Sequence, residues 1–205
     1  MNAHTTPPPG AEFFGAALIA DAELRDAVLG DLSEEHARLA QLRSRHAANA
    51  WYWSQLLRSA VPFSAMAVAR GGWRGWMRLA IAVVVSYALL VLLVVRMDSW
   101  LFSVLGSPGG TITWQMPVAS LASGIICGMI AGYVAALVGR RSPFASALAL
   151  GALCASLTIA ILLRGGDGSP LWYQFGLLAV ILPSTAAGAL VRARISRRRS
   201  SGFAR

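Results

Sequence analysis

The sequence predicts an all-α integral membrane protein, in which four transmembrane helices follow an N-terminal cytoplasmic helical head. Of the 205 residues, 56% are hydrophobic and only 13% are charged, whereas about a quarter of the residues in a soluble domain are charged. The mean hydropathy is +0.58. Four apolar segments each approach the roughly 20 residues that a helix needs to cross a bilayer. This pattern excludes a soluble enzyme and a disulfide-stapled scaffold.

The charges divide the chain into an acidic head, a basic neck and a membrane body. The net charge is +9, but residues 1–37 contain seven acids and one Arg, a balance of −6. Residues 38–78 contain seven Arg and no acid. The polar, proline-rich residues 1–10 are expected to be disordered. The remaining boundaries are 11–62 for the head, 63–78 for a basic juxtamembrane segment, 79–192 for the membrane domain and 193–205 for a basic tail.

Capping residues and proline predict where the helices of the head begin and end. Asp21 is suited to cap a short helix that Gly30 ends. Asp31, followed by Glu34, resembles a capping arrangement for a second helix, and Pro62 is expected to stop that helix. One apolar stripe is predicted along the second helix, formed by Leu32, Leu39, Leu42, Trp53 and Leu56.

Three consecutive aromatic residues, Trp51, Tyr52 and Trp53, lie near the end of the head. They cannot all face one side of a helix. One interpretation places them near the lipid headgroups, where amphipathic aromatic side chains are enriched. The other places them in a local core of the head.

Four transmembrane spans are predicted in the membrane body. None has a charged residue or a His between its ends, so each is inserted into the bilayer at little cost. The earlier apolar stretch at residues 13–20 is short and has no positive region before it. We therefore expect no signal peptide, and the first span is expected to act as the insertion signal. The predicted spans are residues 79–95, 116–138, 144–163 and 171–191.

The distribution of arginine predicts the orientation of the spans. Arg is concentrated before the first span, between the second and third spans, and in the tail, whereas each other loop has one Arg accompanied by an acid. The positive-inside rule then places both termini on the cytoplasmic side of a bacterial inner membrane. No nucleic-acid-reading motif accompanies the charge, so no nucleic-acid partner is expected. The residues that mark topology or bind anionic lipid are Arg140, Arg141, Arg192, Arg194, Arg197, Arg198 and Arg199.

Small residues at four-residue steps predict a close helix contact. In the second span, Gly124, Gly128 and Gly132 form a groove, and this spacing commonly brings helices together in lipid. The short connection at residues 139–143 makes the second and third spans antiparallel neighbours. We therefore expect the third span to fill the groove, and a contact between two copies is the alternative. The matching residues of the third span are Ala147, Gly151 and Ala155.

Proline is expected to bend the fourth span. Pro183 removes one backbone N–H from the helix and is predicted to produce a kink. The hydroxyls of the adjacent Ser184 and Thr185 are expected to satisfy the carbonyls that the proline frees.

The predicted spans lack the groups that chemistry inside a membrane requires. They contain no carboxylate for proton exchange, no His to ligate haem and no base to activate their serines. Cys127 and Cys154 lie singly in apolar runs, without metal-ligand spacing. We therefore expect no enzymatic activity, no cofactor and no metal.

Two stretches of the head carry a family resemblance. The segment LRDAVLGDLSEEHARL at residues 24–39 and the segment AWYWSQLLRS at residues 50–59 resemble the permease prefix domain of macrolide-exporter-type ABC permeases. The resemblance implies a cytoplasmic helical module with a regulatory or protein-binding role, in a family whose genes often accompany PadR-like regulators. It covers only the head. The membrane body lacks the large extracellular domain of those permeases, and the chain has no Walker motif.

Two functional hypotheses follow. The first is a non-enzymatic inner-membrane accessory or signalling protein, associated with an ABC transporter or its regulation, whose head docks a protein partner. The alternative is a small oligomeric transporter or channel-like protein that uses the glycine groove and Pro183, and a homo-oligomer is left open. For the head itself, the alternative to docking is a self-packed helical cap. The expected docking residues are Leu24, Val28, Leu32, Glu34, Glu35, Trp51, Trp53 and Arg58.

Overall fold

The chain is predominantly α-helical in the part that the computed structural model describes, namely residues 6–8, 10–19, 21–105, 115–139, 143–165 and 169–202. No strand occurs in these residues, and the prediction of an all-α membrane protein is confirmed. The helices are α1 (Ala11–Leu18), α2 (Ala22–Leu42), α3 (Arg45–Ala69), α4 (Gly72–Leu105), α5 (Gln115–Val138), α6 (Pro143–Leu163) and α7 (Leu171–Gly202).

Two compact units divide the chain, a head of Met1–Trp73 and a membrane unit of Arg74–Arg205. The predicted disorder of residues 1–10 falls largely on residues outside the described ranges. So do Arg140 and Arg141, which belong to the predicted inner loop.

A single helix, α2, spans the region where the sequence predicted two. Asp21 caps it as expected, because its carboxylate accepts a hydrogen bond from the Leu24 N–H at 3.3 Å. The helix then continues through Gly30 to Leu42, so the expected break at Gly30 and the new start at Asp31 and Glu34 are wrong. Gly30 lies on the exposed side of α2, and a glycine inside a helix costs only about 1 kcal/mol. The packing of α2 against α3 outweighs that cost.

The helix α3 begins after a turn that the sequence did not predict and forms a helical hairpin with α2. Arg43 and Ser44 separate α2 from α3, and the Ser44 hydroxyl accepts a hydrogen bond from the Ala47 N–H at 3.3 Å. The expected stripe from Leu32 to Leu56 is therefore divided between two helices, and Leu42 is 72% exposed. The hairpin is antiparallel, since Arg70, just after α3, forms an ion pair with Asp21 at 3.2 Å.

Pro62 does not end α3, which continues to Ala69. The proline lies on the exposed side of the helix. On the opposite side, Ala60, Ser64 and Val68 extend a buried stripe at four-residue intervals. A proline inside a helix costs about 3 kcal/mol, because one backbone hydrogen bond is lost and the ring clashes with the preceding turn. Burial of this stripe maintains α3 across Pro62.

Among the described residues, four helices are long and apolar enough to cross a membrane, which confirms the number of predicted spans. The first is longer than predicted, because α4 includes Arg96 and Asp98, two residues that were expected in an outer loop. No Gly or Pro occurs between them and the end of α4 at Leu105, so nothing local interrupts the helix. The spans are Gly72–Val104, Gln115–Val138, Pro143–Leu163 and Leu171–Ser196.

The glycine groove of α5 is filled by α7 and not by α6 as expected. A Cβ added at Gly132 would lie 2.7 Å from the Cα of Thr185, and one added at Gly128 would lie 3.2 Å from the Cβ of Ser184. The contact is reciprocal, since a Cβ at Gly188 of α7 would lie 2.6 Å from the Tyr133 backbone nitrogen. The two backbones therefore pack against each other with no room for side chains between them.

The small residues of α6 also allow α7 to pack closely. A Cβ added at Gly151 would lie 2.9 Å from the Leu182 Cδ2 of α7, while Ala147 is fully buried and Ala155 is half-buried. A short connection made α5 and α6 neighbours, as predicted, but sequence proximity did not determine which helix enters the groove. α7 is the common neighbour of both.

Beneath these contacts, the membrane unit has an apolar core to which α4 contributes. Leu90 of α4 is buried there, and Tyr87, Leu93, Val94 and Met97 pack against it. The outward faces are apolar as well, which suits contact with lipid acyl chains. The buried core residues are Leu90, Cys127, Ala131, Ala135, Leu150 and Cys154.

We predict that Gly132→Ala destabilises the membrane unit and that Gly124→Ala does not. The Cβ at position 132 meets the Thr185 backbone, which has no rotamer to change, and overpacking costs about 1–3 kcal/mol. At Gly124 the nearest atom is the Leu177 Cδ2 at 3.9 Å, an ordinary contact. The free energy of unfolding, measured by titrating the detergent-solubilised full-length protein with dodecyl sulfate, should separate the two variants. Equal stabilities would contradict the α5–α7 packing.

Candidate functional site

A groove lies at the closed end of the α2–α3 hairpin, where the two helices meet at the Arg43–Ser44 turn. Its volume is about 230 Å³. Apolar side chains from both helices provide part of its lining, and one acidic and one basic residue provide the rest. The lining residues are Glu35, Leu39, Arg43, Ala47, Ala48 and Trp51.

The turn between α2 and α3 positions the residues that line this groove. Arg43 ends α2 and Ser44 caps α3, so Ala47 and Trp51 are one and two turns into α3 and lie on one side of it. Their partner Leu39 lies in the last turn of α2. Glu35 accepts a hydrogen bond from the Arg38 guanidinium at 2.8 Å. The Arg38 side chain is 69% exposed, so this ion pair orients Glu35 and adds less than about 1 kcal/mol of stability.

A buried polar contact holds the two helices together next to the groove. The His36 Nε2 of α2 and the Asn49 Oδ1 of α3 are 2.8 Å apart. The His36 ring also packs edge-on against Tyr52, with ring centroids 5.7 Å apart and an interplanar angle of 90°. Both rings are completely buried. Because Tyr52 follows Trp51 directly, this contact positions the part of α3 that carries Trp51, the aromatic residue of the groove.

The three consecutive aromatic residues belong to the core of the head. Tyr52 is fully buried, and Trp51 and Trp53 are half-buried. Trp53 packs edge-on against Phe14 of α1, with centroids 5.8 Å apart. Of the two interpretations of this run, the burial of Tyr52 and the contact of Trp53 with Phe14 support the local core.

The expected docking residues have different surroundings. Glu35 and Trp51 line the groove. Half-buried Leu24, Val28 and Leu32 lie along one ridge of α2, at the spacing that continues to Glu35 and Leu39. Of the remaining three, Glu34 and Arg58 are exposed but do not line the groove, and the Trp53 ring packs against Phe14.

Four groove residues were not among those expected to dock a partner, namely Leu39, Arg43, Ala47 and Ala48. The available signal was the polar run at residues 43–46, which interrupts the apolar stripe and contains a serine suited to cap a helix. A turn at this position brings the two helix ends together.

A second polar cluster links three helices of the membrane unit. The Ser120 hydroxyl of α5 donates a hydrogen bond to the Asp98 carboxylate of α4 at 2.8 Å. The same hydroxyl lies 3.2 Å from the Tyr173 hydroxyl of α7. The sequence did not indicate this cluster, since Asp98 was expected in a loop. In the described part of the chain, no group of three or more His, Cys, Asp or Glu could hold a metal.

Pro183 lies on the exposed side of α7, which continues through it. The Ser184 hydroxyl donates to the Ile181 carbonyl at 2.9 Å, and the Thr185 hydroxyl donates to the Ile181 and Leu182 carbonyls. In an α-helix, the carbonyl that loses its donor to Pro183 is that of Ala179. These hydroxyls therefore bond to other carbonyls, and the expected repair of the freed carbonyl is wrong. The kink itself stays a prediction.

The basic residues of the tail begin as part of α7, which extends to Gly202. The Arg192 side chain is half-buried and the Arg194 side chain is exposed. The helical backbone continues through Arg197, Arg198 and Arg199.

Comparison of the chain with protein-family models, with curated proteins and with solved structures gives no match in any of the three. The resemblance to the permease prefix domain therefore depends on the residues of the head alone.

We predict that Tyr52→Phe leaves the head at least as stable near neutral pH and removes part of its alkaline destabilisation. Among the described residues, the buried Tyr52 hydroxyl has no hydrogen-bond partner, so its removal costs little. Burial, followed by the negative charge of Glu12, raises the pKa of Tyr52 above its usual value. The folded head therefore retains the phenolic proton more strongly than the unfolded chain. The stability that the folded head gains from keeping Tyr52 protonated is fully present below pH about 10. It is lost as the pH rises through the folded-state pKa of Tyr52.

The measurement is the rate of thiol labelling at Ala60→Cys, a buried position of α3, in full-length protein whose Cys127 and Cys154 are replaced by Ala. Labelling should accelerate as the pH rises above about 10, the usual pKa of tyrosine, and more in the protein with Tyr52 than in Tyr52→Phe. Identical pH profiles would show that Tyr52 does not titrate in this way.

Proposed function

We propose that this protein is a non-enzymatic inner-membrane accessory or signalling protein whose cytoplasmic head docks a protein partner. The observation that carries the proposal is the groove at the end of the α2–α3 hairpin, with its volume of about 230 Å³. Trp51 and Leu39 provide apolar surface there, and Glu35 and Arg43 provide charges of both signs. A partially buried aromatic residue beside a pocket is a frequent centre of binding energy in protein interfaces.

The charge of the head favours a basic partner. Glu23, Asp26, Asp31 and Glu34 are all exposed on α2. An apolar side chain that enters the groove, flanked by Lys or Arg residues, would match both the groove and this acidic surface. An amphipathic helix with a basic flank has this chemistry.

The resemblance to the permease prefix domain agrees with such a role, and it associates the protein with an ABC transporter or its regulation. The arginine distribution supports cytoplasmic placement of both termini. On this proposal, the four apolar helices keep the head at the membrane surface, where a membrane-bound partner is at high effective concentration.

We predict that Ala47→Phe weakens partner docking and that Ala50→Phe does not. Ala47 is exposed and lines the groove, so a phenylalanine there fills the cavity without disturbing the core. Ala50 is equally exposed on the same helix but does not line the groove. The photo-crosslinker benzoylphenylalanine is placed at position 46 of the full-length protein in its own membranes, an exposed position next to Ala47 that does not line the groove. The yield of crosslinked partner should fall about tenfold in Ala47→Phe, which corresponds to about 1.4 kcal/mol.

Ala50→Phe should retain the crosslink at the level of the unmodified protein. If both variants retain it, or both lose it, the groove is not the docking site. A crosslink between two copies of this chain would replace the proposed partner with self-association.

A second candidate function, a small oligomeric transporter or channel-like protein, is favoured by Asp98. This carboxylate lies within the span Gly72–Val104 and accepts a hydrogen bond from Ser120 of a neighbouring helix. Titratable residues at such positions mark the pathways of many transporters. A transporter also requires an aqueous path past the buried hydroxyls of the bundle.

We predict that a water-soluble thiol reagent does not label Ser123→Cys or Thr185→Cys in full-length protein in which Cys127 and Cys154 are replaced by Ala. Both hydroxyls are buried and donate to carbonyls of their own helices, so neither faces water if the bundle is only an anchor. Ser156→Cys, on the exposed surface of α6, is the lipid-facing control, and Glu34→Cys is the water-facing control. Rapid labelling at Ser123 or Thr185, with none at Ser156, would favour the transporter.

A further inference from the structure

The second half of α3 has an outward face that is almost entirely apolar. Leu57 is 59% exposed, Val61 69% and Met66 43%. Among residues 57–69, the one charged residue is Arg58. The water-facing side of a helix normally carries several charged residues, and a contiguous exposed apolar surface marks an interaction site. We name this surface the α3 stripe, formed by Leu57, Val61, Pro62, Ala65 and Met66, all of them exposed.

The chain itself indicates what covers the α3 stripe. Two residues separate the end of α3 at Ala69 from the start of α4 at Gly72, and α4 is the first helix able to cross a membrane. From Gly72 to Leu79, where the uninterrupted apolar run begins, a helix rises about 10 Å. The polar layer on each side of a bilayer is about 5–8 Å thick. The end of α3 is therefore held near the lipid headgroups.

The side chains around this junction fit an anionic lipid surface. Trp73 is 71% exposed and Trp76 is 56% exposed, and tryptophan is enriched at the membrane–water boundary. Arg58 and Arg70 of the head are exposed, Arg70 as the ion-pair partner of Asp21, and Arg74 near the start of α4 is exposed as well. Residues 38–78 contain no acid. Exposed arginine next to apolar side chains is the pattern of helices that lie in the headgroup layer of anionic membranes.

We infer that the α3 stripe lies in the headgroup layer of an anionic leaflet, where Arg58 binds lipid phosphate. The opposite surface of the hairpin is suited to water. Ala27 lies on the exposed side of α2 among Glu23, Asp31 and Glu34, and these carboxylates are repelled by an anionic surface. The inference uses neither the groove nor its partner, so it is independent of the proposed docking function.

The test uses full-length protein with Cys127→Ala and Cys154→Ala, one copy per nanodisc, in a mixture of phosphatidylcholine and phosphatidylglycerol. A nitroxide is attached at Val61→Cys and, as the matched control, at Ala27→Cys. Collision rates are measured with oxygen, which concentrates in lipid, and with a water-soluble nickel chelate. We expect the ratio of oxygen to nickel collisions at position 61 to exceed that at position 27 by about tenfold, because a label at position 61 would lie in an apolar phase. A tenfold ratio corresponds to about 1.4 kcal/mol of partitioning.

Equal ratios at positions 61 and 27 would overturn the inference. Shielding of position 61 that occurs only in discs with two copies would also overturn it, in favour of a contact between copies. Arg58→Gln should lower the ratio at position 61 in the anionic discs, whereas Arg45→Gln, exposed at the other end of α3, should not. Shielding that is unchanged by Arg58→Gln and by removal of phosphatidylglycerol would contradict the binding of lipid phosphate.

Discussion

The close approach of α5 and α7 is the contact on which the membrane unit depends. Within lipid, burial of apolar surface does not distinguish a helix neighbour from an acyl chain, so helices associate only where their surfaces fit closely. Gly132 and Gly188 allow that fit, because each faces backbone atoms of the other helix. α6 then packs on α7 through Gly151, and Ser120 joins α4 to the pair through Asp98. Without the two glycines, α7 has no equally close surface on α5.

The head is held together by a different balance of interactions. None of its described helices is among the candidate membrane spans, and burial of Tyr52, Leu56 and the neighbouring small residues drives their association. The hydrogen bond between His36 and Asn49 then sets the register of α2 on α3, since a shift along either helix would leave the buried His36 Nε2 without this partner. This register also brings Leu39 opposite Trp51 and so creates the groove.

The sequence predicted the features that depend on composition and failed where tertiary packing decides. Four spans were predictable because a charge within them is costly. The spacing of Gly124, Gly128 and Gly132 predicted a close contact, but the choice of α7 over α6 depends on how the helices are rotated, which no local pattern records. Gly30 and Pro62 are helix breakers by propensity, yet both are overridden by the packing of the face opposite to them. In the candidate site, Glu35 and Trp51 were expected, whereas the turn that joins α2, which carries Glu35, to α3, which carries Trp51, was not.

The length of α3 connects the two surfaces of the head. Its first two turns carry Ala47 and Trp51 of the groove, and its second half carries the α3 stripe. Trp51 and Ala69 are separated by about 27 Å along a helix. A helix is stiff over this distance, so a partner bound in the groove is held at a defined distance from the point where the chain reaches the membrane. Because the hairpin has carboxylates on the outer side of α2 and arginines on α3, an anionic leaflet attracts one side and repels the other. On the two proposals, lipid contact and partner docking use different turns of α3 and do not compete for the same residues.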